Sequence, residues 1–354
     1  MLKGLSPSLS RVRFAVQVLM LFLTIYGSVV VGHYLADKIS SALPALSCAY
    51  DQMNGGYCVL VPTQHMVSHR IGEAMVRAQQ LTLQMVLPLL MVFLSFFAFF
   101  FVIGKTFCGW VCPLGTLQEW IGKIGRRFQV GVRRFDKGDL GEVRRVRPVK
   151  WLILLGLVFL LPLLTGLGVT PHSLGNPFCD VCPSRVATTL LTGNTEELAL
   201  RIDDGWKFGL GAAANVLVGF MLVGGLALRL PFCRICPLLA FNSVFQRLSP
   251  MRLSKPTRGN CGSCHICTEA CPMDIPEISK ESGRKAYNED CTLCGRCAEY
   301  CPQDGVIQLK WGPFALFSSS RDYYKNKVKG ELPDGTIKPI KFAKPSAKPT
   351  SADA

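Results

Sequence analysis

Two cysteine runs near the C-terminus are spaced for metal chemistry: Cys261-Gly-Ser-Cys264-His-Ile-Cys267-Thr-Glu-Ala-Cys271-Pro272 and Cys291-Thr-Leu-Cys294-Gly-Arg-Cys297-Ala-Glu-Tyr-Cys301-Pro302. Both follow the pattern Cys-x2-Cys-x2-Cys-x3-Cys-Pro, in which three close thiolates hold one 4Fe-4S cluster and the fourth reaches across to the other. The spacing therefore predicts cluster 1 on Cys261, Cys264, Cys267 and Cys301, and cluster 2 on Cys291, Cys294, Cys297 and Cys271. Zinc is the alternative for Cys-x2-Cys pairs, but it takes four thiolates per site and gives the doubled pattern and both prolines no role. The chemistry implied is one-electron transfer.

The elements that must position these thiols lie upstream. Hydrophobic residues make up 49% of the chain and the mean hydropathy is +0.29, which directs attention to long uncharged runs. Residues 14–34, 81–103, 151–169 and 208–228 carry no Asp, Glu, Lys or Arg, and each approaches the ~20 residues that cross a ~30 Å hydrocarbon core. The expected fold class is an α-helical integral membrane protein, with four transmembrane helices in two repeated pairs and a small α+β two-cluster domain. The domains are drawn as 1–250 for the membrane part, 251–312 for the cluster domain and 313–354 for an extension and disordered tail rich in Lys, Pro, Ala and Ser. The first run follows Lys3, Arg11 and Arg13 but is too long for a secretion signal, and reads as a retained anchor. The loop 105–150 is rich in Lys and Arg and the loops around 37–80 and 170–207 are poor in them, so both termini are expected to be cytoplasmic in a bacterial inner membrane, multi-pass. The net charge of +15 fits anionic lipid as the partner and makes nucleic acid unnecessary.

Each helix pair repeats the same order: helix, outer loop with two cysteines, helix, then a Cys-Pro motif on the inner side. The inner motifs are Phe107-Cys108-Gly-Trp-Val-Cys112-Pro113-Leu114 and Phe232-Cys233-Arg-Ile-Cys236-Pro237-Leu238. The inner set Cys108, Cys112, Cys233 and Cys236 supplies the four thiolates of a third 4Fe-4S cluster in a reducing compartment. The outer set is Cys48, Cys58, Cys179 and Cys182. It holds either a fourth cluster or disulfides such as Cys48 with Cys58, and a redox-active Cys179/Cys182 dithiol is a third reading. Clusters at opposite faces would be a ~30 Å bilayer apart, so crossing requires sites sunk toward the midplane or another carrier.

With these motifs in place, the chain resembles the membrane polyferredoxin family typified by the quinol dehydrogenase subunit of periplasmic nitrate reductase systems. That broad group also takes in the membrane iron–sulfur protein supporting nitrous-oxide reductase. The resemblance covers residues 10 to 310 and rests on the four helices, the two inner motifs and the bacterial-type ferredoxin domain. It implies electron passage between the quinone pool and a periplasmic redox enzyme or electron carrier, with other subunits of a respiratory complex as further partners. The second inner motif here is Cys-x2-Cys-Pro where the family commonly has Cys-x3-Cys-Pro. The outer cysteines are additional to the nitrate-reductase pattern and point to a branch that carries electrons across the bilayer.

Quinol oxidation needs proton acceptors, and His33, His65, His69 and His172 all fall at or beyond the outer helix ends. The alternative for His65 and His69 is an ordinary amphipathic interfacial segment running to Gln80. No helix interior offers a haem ligand and the Gly-rich stretches lie inside an apolar span, so neither haem nor flavin is expected. The favoured function is a membrane-bound iron–sulfur relay between the quinone pool or a cytoplasmic donor and a redox partner. The alternative is a maturation or thiol/metal-reducing factor that delivers cytoplasmic electrons to periplasmic cysteines or a metalloenzyme.

Overall fold

The computed structural model describes residues 8–31, 50–51, 55–56, 60–78, 83–128, 140–193, 195, 198–200, 204–255, 261, 264–275, 277–280, 282–283 and 289–328. Helix α1 is Leu9–Val31, and a short hairpin pairs β1 (Tyr50–Asp51) with β2 (Gly55–Gly56). Helix α2 runs on through Leu60–His65, Met66–Gly72 and Glu73–Ala78, its middle part π-wound, and α3 is Leu83–Ile103. After α4 (Pro113–Arg127), helix α5 continues through Leu140–Ile153, Leu154–Leu160 and Leu161–Gly166. The short α6 (Pro177–Val181) and α7 (Pro183–Leu191) lead to α8 (Gly205–Ala227) and α9 (Pro237–Gln246).

Among the described residues two helices are long and apolar enough to cross a membrane, Val146–Gly166 and Gly205–Ala227. Both begin before the runs predicted at 151–169 and 208–228. An uncharged window detects only the lipid-facing part of a helix, whereas the backbone ladder of α5 continues through Arg147 and Lys150, whose charges are met by acidic partners in the second domain. Helix α5 stops at Gly166, before Gly168 turns left-handed at φ 77°. Helix α8 starts where the Asp204 carboxylate accepts from the Trp206 N–H at 3.0 Å, a side-chain N-cap. The run predicted at 14–34 coincides with α1 as far as Val31, and 81–103 with α3 from Leu83; residues 32–34 and 81–82 lie outside the described residues. Leu90 and Leu94 on α3, Leu155 and Leu160 on α5, and Val216 and Val223 on α8 all face outward. A soluble protein seldom exposes so continuous an apolar belt, and membrane association accounts for it.

The second domain is a three-stranded antiparallel sheet, β3 (Met251–Ser254), β4 (Gln308–Trp311) and β5 (Phe314–Ser318), carrying the cysteine loops between β3 and β4. Met251 pairs with Trp311 and Ser254 with Gln308. Strand β5 pairs with β4 from Gln308–Ser318 to Trp311–Phe314. The sheet therefore runs past the boundary drawn at 312, because Gly312, at φ 58°, turns the chain back into a hairpin. Leu253, Met273, Ile275, Ile307 and Leu309 form its buried core together with the cysteines. Large apolar side chains buried in this way contribute about 1.5–3 kcal/mol each.

This domain caps one end of the bundle. Lys150, near the start of the α5 span, bonds Asp290, and Arg229, just past the end of α8, bonds the Glu269 carbonyl. The beginning of one span and the end of the other thus share a face, so α5 and α8 run antiparallel.

Candidate metal centres

The inner-set thiols are placed by one device used twice. Cys108 sits in a π-wound turn, Phe107–Val111, and Cys112 precedes α4, which opens on Pro113. Cys233 sits in the tight turn Phe232–Arg234, and Cys236 precedes α9, which opens on Pro237. Proline at the first helical position lacks the N–H that would be orphaned there and fixes φ, so the helix starts immediately after the ligand. All four thiols line one cavity with Leu114, Phe232, Leu238 and Leu239. Burial, with Cys112 alongside, pushes the Cys108 thiol up to about 12. Four thiols gathered in an apolar box fit a cationic iron core that displaces their protons. Asn242 Nδ2 donates to Cys108 Sγ at 3.9 Å and Gln118 Nε2 to Cys233 Sγ at 3.4 Å, as thiolate ligands require. Among the described residues no three metal-binding side chains close on a single-ion geometry.

In the second domain Cys301 lies within charge-interaction reach of Cys267 and Cys264, and Cys271 within reach of Cys294 and Cys291. The structure so brings each fourth cysteine to the opposite run, and Cys261 to Cys267. Burial raises Cys291 and Cys267 to about 11 and Cys301 to about 12. His265 and Leu293, between the cysteines, adopt left-handed backbone at φ 57° and 49°. Such turns cost roughly 1–3 kcal/mol apiece and persist where surroundings fix them. The Leu293 N–H points at Cys291 Sγ, 3.4 Å away.

The two sets meet at the domain contact. A Cβ on Gly109 would stand 2.5 Å from the Thr292 carbonyl and 3.2 Å from Cys294 Cβ, so only glycine lets the Cys108 loop lie on the Cys294 loop. Trp110 Nε1 donates to the Leu293 carbonyl at 3.3 Å. Glu119 on α4 is held between Arg13 of α1, at 2.5 Å, and Arg296 of the second domain. Burial alone would raise its carboxyl, but Arg296, Arg13 and Lys123 outweigh it and hold the group at about 2. Arg147 and Lys150 both bond Asp290, and Arg234 bonds Asp274 at 3.0 Å. Lys105 is fully buried and donates to the Glu289 carbonyl; burial pulls it to about 8 against the pull of Cys291 and Cys108. Lys105, Arg147 and Lys150 belong to the basic stretch 105–150, and their acidic and carbonyl partners lie far along the chain, where no sequence window pairs them. Glu119 and the arginines that hold it were not foreseen at all.

At the opposite end, Cys179 lies in α6 and Cys182 precedes α7, which opens on Pro183. Gln64 Nε2 donates to Cys179 Sγ at 3.0 Å. Cys48, Cys58 and His33 lie outside the described residues. The other three outer histidines converge: the rings of His65 and His69 are 4.4 Å apart, those of His69 and His172 stack at 6.0 Å, and His69 Nδ1 meets Glu73 Oε1 at 2.5 Å. Burial, then His69 and Arg70, lowers the pKa of His65 below its ordinary value, with Glu73 opposing. Helix α2 is not laid on a surface as the interfacial alternative required, since Gln64 and Ser68 are fully buried and Gly72 abuts Gly166.

Residues 85–131 and 211–256 match the family described as 4Fe-4S binding domain, and residues 260–307 match the 4Fe-4S dicluster domain. The first family thus falls once on each inner motif. YccM of Escherichia coli, provisionally named an electron transport protein, is 26% identical over 53% of this chain and 46% of its own. Regulatory protein NosR of Pseudomonas aeruginosa is 28% identical over 53% of this chain and 23% of its own. Methylamine utilization ferredoxin-type protein MauN of Methylorubrum extorquens is 27% identical over 52% and 54%. The chain spans about half or less of the length of these relatives. No solved structure matches it. The chain thus carries a doubled 4Fe-4S binding domain and a 4Fe-4S dicluster domain, and it is similar to relatives of which YccM is named for electron transport and MauN as ferredoxin-type.

Proposed function

We propose that the chain is a multi-pass electron relay of a bacterial inner membrane, with α1, α3, α5 and α8 crossing as two pairs and both termini cytoplasmic. Cys261, Cys264, Cys267 and Cys301 hold one 4Fe-4S cluster, Cys291, Cys294, Cys297 and Cys271 a second, and Cys108, Cys112, Cys233 and Cys236 a third. Each cluster supplies a centre that accepts and returns one electron. The chain's own residues do the rest: cysteines fix positions, Asn242 and Gln118 donate to sulfur, and the apolar walls keep water out. The observation that carries this reading is the contact of Gly109 with Thr292 and Cys294, which sets the loop of one site on the loop of the next.

The histidine group at the far end supports a link to the quinone pool. Oxidation of a quinol releases two electrons and two protons. His65, whose pKa burial lowers, and His69, backed by Glu73, can take the protons while electrons leave one at a time toward the thiol sites. Partners are then the quinone pool or a cytoplasmic donor on one side and a periplasmic redox enzyme or carrier on the other. The test is freeze-quench electron paramagnetic resonance after flash reduction of the full chain in nanodiscs. Electrons placed on the ferredoxin domain should appear at the membrane site in the wild type and fail to do so in Cys108→Ser; transfer unaffected by that change would defeat the reading.

A further inference from the structure

The bundle contains the same glutamine–cysteine bracket twice, in opposite orientations. Gln64 donates to Cys179 and Gln118 to Cys233, each across 115 residues, and Phe178 and Phe232 donate their N–H to those same glutamines, each across 114 residues. Each glutamine also donates to the carbonyl one turn back, of Leu60 or Leu114. Behind each bracket two helix backbones touch, Gly125 of α4 against Leu226 of α8 and Gly72 of α2 against Gly166 of α5. Because α5 and α8 are antiparallel, the two units point in opposite directions along the bundle. Both continue alike, through Cys182-Pro183 into α7 and through Cys236-Pro237 into α9.

We propose that Cys179 and Cys182 are ligands of a further 4Fe-4S cluster at the far end of the bundle, with Gln64 as its positioning residue; this rests on reading Cys108, Cys112, Cys233 and Cys236 as a cluster site. Gln64 and Gln118 are buried at 0% and 1% exposure, so each amide depends on a sulfur that keeps accepting. By sequence, Cys58 stands to Gln64 as Cys112 stands to Gln118, and Cys48 is the remaining thiol. The far site also has a route for its electrons. Cys182 packs on the same apolar core as Cys108, Cys112 and Cys236, and it lies within charge-interaction reach of Cys236. Cys182 and the inner thiols thus share one apolar core inside the bundle. One electron can leave one site and enter the other with no bond made or broken and no diffusing carrier.

The sample is the full chain purified anaerobically in nanodiscs. The expected result is iron for four clusters, of which Cys179→Ser removes one, about four irons per chain, with the signals of the inner and ferredoxin centres kept. Gln64→Leu moves the midpoint of that centre to more negative values and leaves the inner one in place; Gln118→Leu does the reverse. Since Cys179→Ser can misfold, wild-type protein denatured with chelator and alkylated without reductant gives a second readout, in which both thiols take label. A recovered Cys179–Cys182 disulfide, or iron unchanged by Cys179→Ser, overturns the proposal. Loss of the centre sensitive to Cys108→Ser, with the Cys179 centre present, instead faults the reading of the inner site.

Discussion

Gly109 lies so close to Thr292 that any side chain at 109 would collide with the Thr292 carbonyl, at 2.5 Å from its first carbon. The bundle and the ferredoxin domain therefore meet with two of their cysteine loops in contact. Gly109→Val should cost the docking contact about 1–3 kcal/mol by overpacking. Iron content should stay at the wild-type value while flash-reduced electrons reach the membrane site several-fold more slowly; an unchanged rate would mean that this contact does not carry the transfer.

Glu119 joins three elements through Arg13 and Arg296, and breaking a buried pair of this kind costs about 3–5 kcal/mol because the arginines are left unmatched. Glu119→Gln should lower the thermal midpoint for loss of cluster absorbance. The carboxyl is depressed from 4.5 to about 2 in the folded chain. Its stabilisation is therefore fully present above about 4.5 and is lost as pH falls through 2. The stability gap between wild type and Glu119→Gln should narrow across that window, and a gap independent of pH would refute the assignment.

Asn242 Nδ2 approaches Cys108 Sγ at 3.9 Å, a long bond that favours the more negative, reduced state of the site. Asn242→Leu should shift one membrane midpoint negative by a few tens of millivolts, roughly what about 1 kcal/mol or less provides. The ferredoxin midpoints should stay where they are in the same redox titration.

A positioned base typically contributes 10²–10⁴-fold to proton removal. His69→Ala should thus slow quinol-dependent reduction of the chain by about 100-fold while dithionite still reduces every centre. His65, facing His69, Arg70 and Glu73, has a lowered pKa, so it loses its ability to take a proton only when pH drops below the ordinary histidine range. Quinol-dependent rates should fall there, and a flat profile in wild type would remove His65 from the site.

The cysteine motifs were legible because cysteine spacing is a local signal: the two ferredoxin runs and the Cys-Pro pairs need only a few residues of context, and each such proline does open a helix at Pro113 and Pro237. The apolar runs likewise located α5 and α8, although not their first turns, since a charged residue such as Lys150 can be helical when Asp290 receives it. What sequence could not show was long-range. The Arg13–Glu119–Arg296 bridge links parts of the chain far apart, as does the convergence of His172 on His65 and His69. One signal was available and unused: the spacing from Gln64 to Cys179 equals that from Gln118 to Cys233.

The central claim is that sulfur from two separate Cys-Pro motifs closes on shared iron where the bundle meets the ferredoxin domain. Redox-titrated electron paramagnetic resonance with iron analysis, on wild type and Cys233→Ser, tests it most directly. The account predicts a centre in wild type beyond the ferredoxin pair, lost in the variant together with about four irons per chain. A Cys233→Ser protein with wild-type iron and spectra would contradict it.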